Sequence, residues 1–207
     1  MASKAVLDYF DATEGRETRA DLKQAVRLVE GPRVAIDCGC GAGSDIAFLR
    51  ENDFVVHAFD IEQEAVARCQ KRFNGDSSVT VSCDSFNSFE YPRASLVVAD
   101  ASLFFCPEKE FHEVWGKIAQ SLYPDGVFVG SFLGPEATMA GPDYDRAAFW
   151  PDVLVATEDN VRSWLEGFRI VSFTEHRTSG TTVNGTPHNW HIFAVVAVKN
   201  PAKVFVR

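Results

Sequence analysis

A short apolar run, Val34-Ala35-Ile36, ends at Asp37 and opens directly into Cys38-Gly39-Cys40-Gly41-Ala42-Gly43-Ser44-Asp45. Ile46, Ala47 and Leu49 then restart a helical pattern. A buried strand, a turn with glycine at alternate positions and a helix form the segment that most restricts this chain. Gly39 and Gly41 allow a tight turn and close approach of a ligand to the backbone, and Gly43 falls where a helix must pack closely on a sheet. The same alternation continues on either side. Residues 19–29 put Leu22, Ala25, Val26 and Val29 on one helical face, and Gly31-Pro32 stops them. Residues 54–59, 79–81 and 96–99 read as strands, and 62–72 and 108–122 as helices. After a turn at Pro124-Asp125-Gly126, residues 127–133 form a further strand. Strands alternating with helices of this length imply right-handed β-α-β units and a parallel sheet.

The last third departs from that pattern. Residues 134–151 are rich in Pro and Gly and read as a long irregular connection. A short helix over 158–165 precedes two strand-like runs, 168–173 and 191–198, linked by 178–187 with its turn signals Ser179-Gly180 and Asn184-Gly185. Two strands without an intervening helix predict an antiparallel hairpin closing one edge. The expected fold is α/β: a single Rossmann-like, doubly wound sheet of about seven strands, mostly parallel, with an antiparallel C-terminal hairpin and helices on both faces. The 207 residues fit one domain at ~150 residues per domain. Within that domain, 1–31 is expected to form an N-terminal helical lid, and 134–157 and 174–190 acceptor-side loops.

A formal net charge of -9 and the absence of a dense Lys/Arg run argue against nucleic acid as a partner. The five cysteines contain no C-x-x-C pair, so no metal is expected and Cys38, Cys40 and Cys83 read as buried thiols. No uncharged stretch approaches the ~20 apolar residues of a membrane helix, and no apolar run of signal-peptide length precedes Asp8. A cytoplasmic protein, monomer or homodimer, is expected.

Spacing narrows the ligand. The glycines fall as G-x-G-x-G, whereas the dinucleotide fingerprint G-x-G-x-x-G needs glycine where Ser44 stands. Asp37 would repel a pyrophosphate and suits a cationic group. Asp60 ends the next strand, 17 residues beyond Gly43, where a carboxylate accepts ribose hydroxyls. The following strands end in Cys83-Asp84-Ser85 and Ala99-Asp100-Ala101, so Asp84 could accept from an exocyclic amine of adenine. Each of these acids also suits a turn or helix cap.

This combination resembles the class I S-adenosylmethionine-dependent methyltransferases. The resemblance is carried by Asp37-Cys38-Gly39-Cys40-Gly41-Ala42-Gly43, Asp60-Ile61, Cys83-Asp84-Ser85 and Leu122-Tyr123-Pro124-Asp125-Gly126-Val127. The last is similar to the family's L-x-P-G-G turn, with Asp125 in place of its first glycine. Tellurite-resistance and thiopurine-type small-molecule methyltransferases are the most similar branch, by the layout of residues 9–16, Arg19 and Glu175-His176-Arg177 with Asn184-Gly185. The resemblance implies a seven-stranded sheet whose last strand is antiparallel, with S-adenosylmethionine as cofactor and S-adenosylhomocysteine as product. It implies that the Gly39, Cys40, Gly41 and Gly43 loop beside Asp37 meets the methionine amine and that Asp60, with Ile61, holds the ribose. Asp84 and Ser85 would bind adenine, Asp100 and Ala101 would line the sulfonium, and Arg19 or Arg16 would meet the methionine carboxylate.

Methyl transfer needs alignment of a nucleophile and exclusion of water more than a catalytic acid. No catalytic residue is therefore assigned. Phe105, Trp150, His176, Arg177 and His188 are the candidates for contact with a small-molecule acceptor, such as a thiol or chalcogen. A non-catalytic cofactor-binding module and an NAD-dependent oxidoreductase remain as alternatives.

Overall fold

The pattern of apolar residues resolves into one mixed sheet. The computed structural model describes residues 4–145, 153–182 and 185–201. Among them the strands are β1 Val34–Cys38, β2 Val55–Asp60, β3 Val79–Cys83, β4 Ala94–Ala99, β5 Leu122–Leu133, β6 Phe168–Thr181 and β7 Pro187–Lys199. The helices are α1 Lys4–Thr13, α2 Ala20–Leu28, α3 Ser44–Glu51, α4 Gln63–Arg72, α5 Glu108–Ser121 and α6 Glu158–Trp164. The strand order is β3-β2-β1-β4-β5-β7-β6. β1 to β5 run parallel, and β7 lies antiparallel between β5 and β6.

Side chains alternate across the pleat and so divide the core in two. Ile36, Val97, Phe128 and Val195 pack under α5 and α6 with Phe111, Trp115 and Val161. Ala35, Leu96, Val127 and Val196 face the other way, against Leu22 and Val26 of α2, Ile46 and Leu49 of α3 and Cys69 of α4. Central strands buried on both faces explain the continuous apolar runs of β4 and of the second half of β7. The crossover from β3 to β4 has no helix. Phe86, Phe89 and Tyr91 cover the sheet there instead, with ring centroids 5.4, 4.3 and 6.0 Å from that of Phe59.

Two elements differ from their sequence reading. Pro124-Asp125-Gly126 lies inside β5, which begins at Leu122; the turn is a bulge where the register with β4 shifts. Asp125 takes φ +61° there. The stretch 174–190, expected as an acceptor-side loop, is mostly paired. β6 and β7 stay paired from Phe168↔Lys199 out to Thr181↔Pro187, with one register shift between Ile170 and Ser172, past the last β5 pair at Leu133↔Ile192. Their outer halves form a two-stranded ribbon with both faces largely in solvent, so the period-two apolar signal that marks a half-buried strand is absent. Trp150 and Asn184 fall outside the described residues.

Order reverses between β1 and β4, whose chains leave in opposite directions and open a crevice at their carboxyl ends. The Gly39–Gly43 turn, Asp60, Asp84 and Asp100 all stand along that edge.

Candidate active site

The glycine turn is shaped by close approach. Gly39 has φ +74°, and a Cβ there would lie 2.6 Å from the Cβ of Ser102, which follows β4. Any larger residue would push apart the two strand ends that form the crevice. Ser102 Oγ donates to the Cys38 carbonyl at 2.6 Å and ties the same ends together. Gly43 caps α3 at φ +79°, pressed against Phe73 and Cys69 of the α4 region. The amides of Gly39 and Cys40 both donate to the Phe59 carbonyl, at 2.9 and 3.0 Å.

Asp60 is built into this turn. Its Oδ2 accepts from the Gly41 amide and its Oδ1 from the Glu62 amide, each at 2.9 Å. Burial raises its pKa, and the amides of Glu62, Gly41 and Ile61 oppose the rise. The bonds from Gly41 and Glu62 occupy two of the carboxylate's about four lone pairs. Ile61, beside it, is an apolar side chain 51% exposed at the sheet edge. Asp84 Oδ1 accepts from the Ser88 hydroxyl at 2.9 Å, and the Ser85 amide donates to Ser88 Oγ at 2.9 Å. Asp84 therefore has a local turn role as well as its place beside Asp60, whose carbonyl accepts from the Asp84 amide at 3.1 Å.

Asp37 is 3% exposed, and its Oδ2 has no hydrogen-bond partner. Burial pushes its carboxyl well above the usual range, with Asp45, Cys69 and Asp60 adding to the rise and Arg16 opposing it. A buried carboxylate oxygen without a donor is costly, and a positively charged ligand group would relieve it. Ala101, which follows Asp100, has φ +51° and donates its amide to Ser131 Oγ at 2.8 Å.

The N-terminal segment lies over these strand ends. Arg19 Nη1 stands 2.8 Å from Oδ1 and 2.6 Å from Oδ2 of Asp100. Arg16 Nη2 donates to Asp45 Oδ2 at 3.1 Å and stands 3.9 Å from Asp100. The expected lid thus splits in two: α2 packs on β4, β5 and β7, while α1 sits on the glycine turn, with Phe10 against Ala42 and Ala65. Ser44 and Arg72 fasten the carboxyl end of α1 through its backbone carbonyls. Asp45, Ser102 and Ser131 were missed in the sequence. Asp45 reads as an ordinary acid in a helix first turn, and a serine hydroxyl that bridges two loops has no local pattern.

On the acceptor side the candidates separate by face. His176 pairs opposite Ile192, and Ile192 packs against the apolar cluster of Phe104, Leu133 and Ala137, as do Ala101, Phe105 and Met139. His188 and Trp190 share that face of the ribbon by the pleat, their rings 4.7 Å apart. Arg177 pairs opposite His191 on the other face and is held by Glu136 at 3.0 Å and Glu175 at 2.5 Å. Its charge is satisfied within the protein and does not join the Phe105 cluster. His191, 2% exposed, accepts at Nδ1 from the Glu136 amide at 3.1 Å and meets Glu175 through Nε2 at 2.9 Å. Among the described residues no group of three His, Cys, Asp or Glu is placed to hold a metal ion, and no helix is long and apolar enough to cross a membrane.

Residues 35–126 match a family described as a methyltransferase domain. A carboxy-S-adenosyl-L-methionine synthase of Actinobacillus pleuropneumoniae serotype 7 (strain AP76) is 33% identical over 109 residues, covering 49% of this chain and 45% of that protein. The match thus spans about half the length of this relative. TehB from Haemophilus influenzae superposes with TM-score 0.75 at 13% identity, covering 94% of this chain and 67% of that one. A 1,6-didemethyltoxoflavin-N1-methyltransferase from Burkholderia thailandensis, solved with S-adenosylhomocysteine, gives TM-score 0.61 at 18% identity, covering 97% and 92%. At these identities the solved structures share the fold.

Proposed function

We propose that the chain, whose residues 35–126 match a methyltransferase domain and whose fold is that of solved methyltransferases, is a class I S-adenosylmethionine-dependent methyltransferase that transfers a methyl group to a small-molecule acceptor. The observation that carries the cofactor reading is the buried, unpartnered Oδ2 of Asp37 beside the glycine turn. The methionine amine is the cation that this oxygen suits. When bound, the cofactor supplies a sulfonium methyl that an incoming nucleophile displaces.

The remaining work belongs to the chain's own residues. Asp37 and the turn through Gly39, Cys40, Gly41 and Gly43 would hold the amine end. Asp60 would accept the ribose hydroxyls on the lone pairs that Gly41 and Glu62 leave over. Ile61 would cover one face of the adenine, with Asp84 and Ser85 at its edge. Asp100 and Ala101 would border the sulfonium, and Arg19 would meet the methionine carboxylate with donors that Asp100 does not use. Alignment of this kind accounts for ~7–11 kcal/mol of a displacement barrier without an acid or base.

The acceptor we infer is a soft nucleophile, such as a thiol or chalcogen, which needs no general base. Both ring nitrogens of His191 are engaged, and Arg177 is bound to two carboxylates. His176 and His188 flank the Phe105 and Ile192 cluster as contacts. A second reading rests on the relatives named carboxy-S-adenosyl-L-methionine synthase: the ligand of the turn is a modified sulfonium cofactor.

Calorimetric titration with S-adenosylhomocysteine, and with NAD in parallel, tests the cofactor. Saturable binding of the first alone supports the proposal, and binding of NAD alone overturns it. Turnover on panels of thiol, chalcogen, amine and hydroxyl acceptors then separates an enzyme from a binding module. Mass spectrometry of any co-purified ligand identifies a modified cofactor.

A further inference from the structure

We propose that Cys40 and Cys69 are an oxidisable dithiol whose disulfide disables the glycine turn, an inference whose functional half rests on the cofactor reading above. Their Sγ atoms lie 3.9 Å apart, and Cys69 Sγ also lies 3.3 Å from the Gly41 carbonyl, to which it donates. Cys40 stands between Gly39 and Gly41 on the turn itself, whereas Cys69 is fixed within α4. A disulfide requires the sulfurs to close to about 2.05 Å. The helix is anchored by its own backbone bonds and by packing on the sheet, so the turn must take up the movement. It has no slack to do so without rearranging. Gly43 is packed so tightly that a Cβ there would lie 3.0 Å from Cys69 Sγ.

The consequence reaches the ligand residues directly. Oxidation removes the Cys69 thiol hydrogen and with it the bond to the Gly41 carbonyl. It also draws Cys40 toward α4, and the Gly41 amide that follows Cys40 is the donor to Asp60 Oδ2. One covalent bond therefore displaces both the turn and the partner of the expected ribose acceptor.

The chemistry balances with a peroxide as oxidant. One thiolate attacks a peroxide oxygen to give a sulfenic acid and, after protonation, one water. The second thiol then displaces the sulfenic hydroxyl, forming the S–S bond and a second water, with two electrons passing to the peroxide. Both thiols are buried, and the hydrogen bond with Cys69, then burial and the nearby Asp37 and Asp60, push the Cys40 thiol up. The pair is therefore slow to react while the turn is closed, and a ligand that holds the turn closed protects it. Cys38 and Cys106 are buried elsewhere in the core, whereas Cys83, expected as a buried thiol, is exposed at the end of the edge strand β3.

The experiment uses the full chain carrying Cys83→Ser, treated with hydrogen peroxide, then mapped by peptide mass spectrometry and titrated with S-adenosylhomocysteine before oxidation, after it and after re-reduction with dithiothreitol. The expected result is a Cys40–Cys69 cross-link with loss of two hydrogens. Affinity should fall at least about tenfold, a change of ~1.4 kcal/mol, and return on reduction. Ligand added before peroxide slows the cross-link. A further Cys69→Ala change, small enough for the helix interior, leaves affinity indifferent to peroxide. Absence of the cross-link overturns the proposal, and so does a cross-link with unchanged affinity. If the reduced chain does not bind S-adenosylhomocysteine, the cofactor reading fails and the coupling with it, while the peptide map alone still decides the disulfide.

Discussion

The hydroxyl of Ser44 donates to the carbonyl of Thr13 at 2.6 Å and reaches that of Glu14 at 3.1 Å, so the first residue of α3 closes the carboxyl end of α1. Arg72 donates to the carbonyls of Glu14 and Ala42, at 3.0 and 3.1 Å, and fastens the same junction from α4. Position 44 is where a dinucleotide fingerprint requires glycine. The serine is thus used on the backbone of the segment that covers the glycine turn, a role that a glycine could not fill.

Ser44→Ala therefore releases α1 from the turn. The expected cost in stability is small, about 0.5–1.5 kcal/mol for a hydrogen bond to a carbonyl. Affinity for S-adenosylhomocysteine should fall several-fold, because Phe10 and the 14–19 linker lose their anchor over the crevice. Denaturant unfolding and calorimetry separate the two effects. Equal affinity in the variant would show that α1 takes no part in ligand retention. Ser44→Gly should lose the same bond and gain no binding of NAD.

Gly39→Ala tests the contact that shapes the crevice. The new methyl would meet Ser102 at 2.6 Å in a left-handed backbone conformation, so both sterics and φ oppose it. A loss of at least about 2 kcal/mol in unfolding free energy is expected, from overpacking and backbone strain together. Gly15, with nothing within 4 Å of a Cβ and no positive φ, is the matched control. Gly15→Ala should change stability by less than about 0.5 kcal/mol.

These two residues also show what the sequence discloses. The glycine spacing and the three strand-end acids were legible because they are local: each follows an apolar run by a fixed number of residues. The two-faced core was legible for the same reason, since β4 and β7 carry continuous apolar stretches. Ser102, which Gly39 must accommodate, is more than sixty residues away, and only the sheet order brings it near. The outer halves of β6 and β7 were unreadable because a ribbon solvated on both faces needs no apolar alternation. Arg177 looked available to an acceptor, yet Glu175, two residues back on its own strand, and Glu136, in the loop after β5, hold it instead.

Asp60→Ala removes an acceptor from two backbone amides as well as from the proposed ribose site. Cofactor affinity should weaken by ~1–3 kcal/mol, the cost of leaving such donors unpaired. Asp60→Asn should fall between, because the amide oxygen keeps one of the two bonds while its NH2 faces the other backbone N–H. Calorimetry on the folded variants checks the order wild type, Asn, Ala. Unchanged affinity in a folded Asp60→Ala protein would remove Asp60 from the site.

Asp37 gives a prediction with a definite direction in pH. Its carboxyl in the folded chain titrates well above the ordinary carboxylate range, chiefly through burial, so the folded protein binds a proton that the unfolded chain has already released. Stability linked to this group is therefore fully present only below the ordinary carboxylate range and is lost as pH rises from there through the folded value. Asp45 and Asp60 shift in the same direction and add to the slope. Asp37→Asn removes the buried charge while keeping the shape. The ligand-free variant should be more stable than the parent at pH 8, with the difference shrinking toward pH 4, as thermal unfolding across that range would record. Affinity for S-adenosylhomocysteine should move the other way, falling most at the higher pH where the parent carboxylate is charged against the ligand amine. A variant that is stabilised but binds equally well would leave the buried carboxylate without a ligand role. One that is neither stabilised nor weakened would show that its charge is already neutralised within the protein.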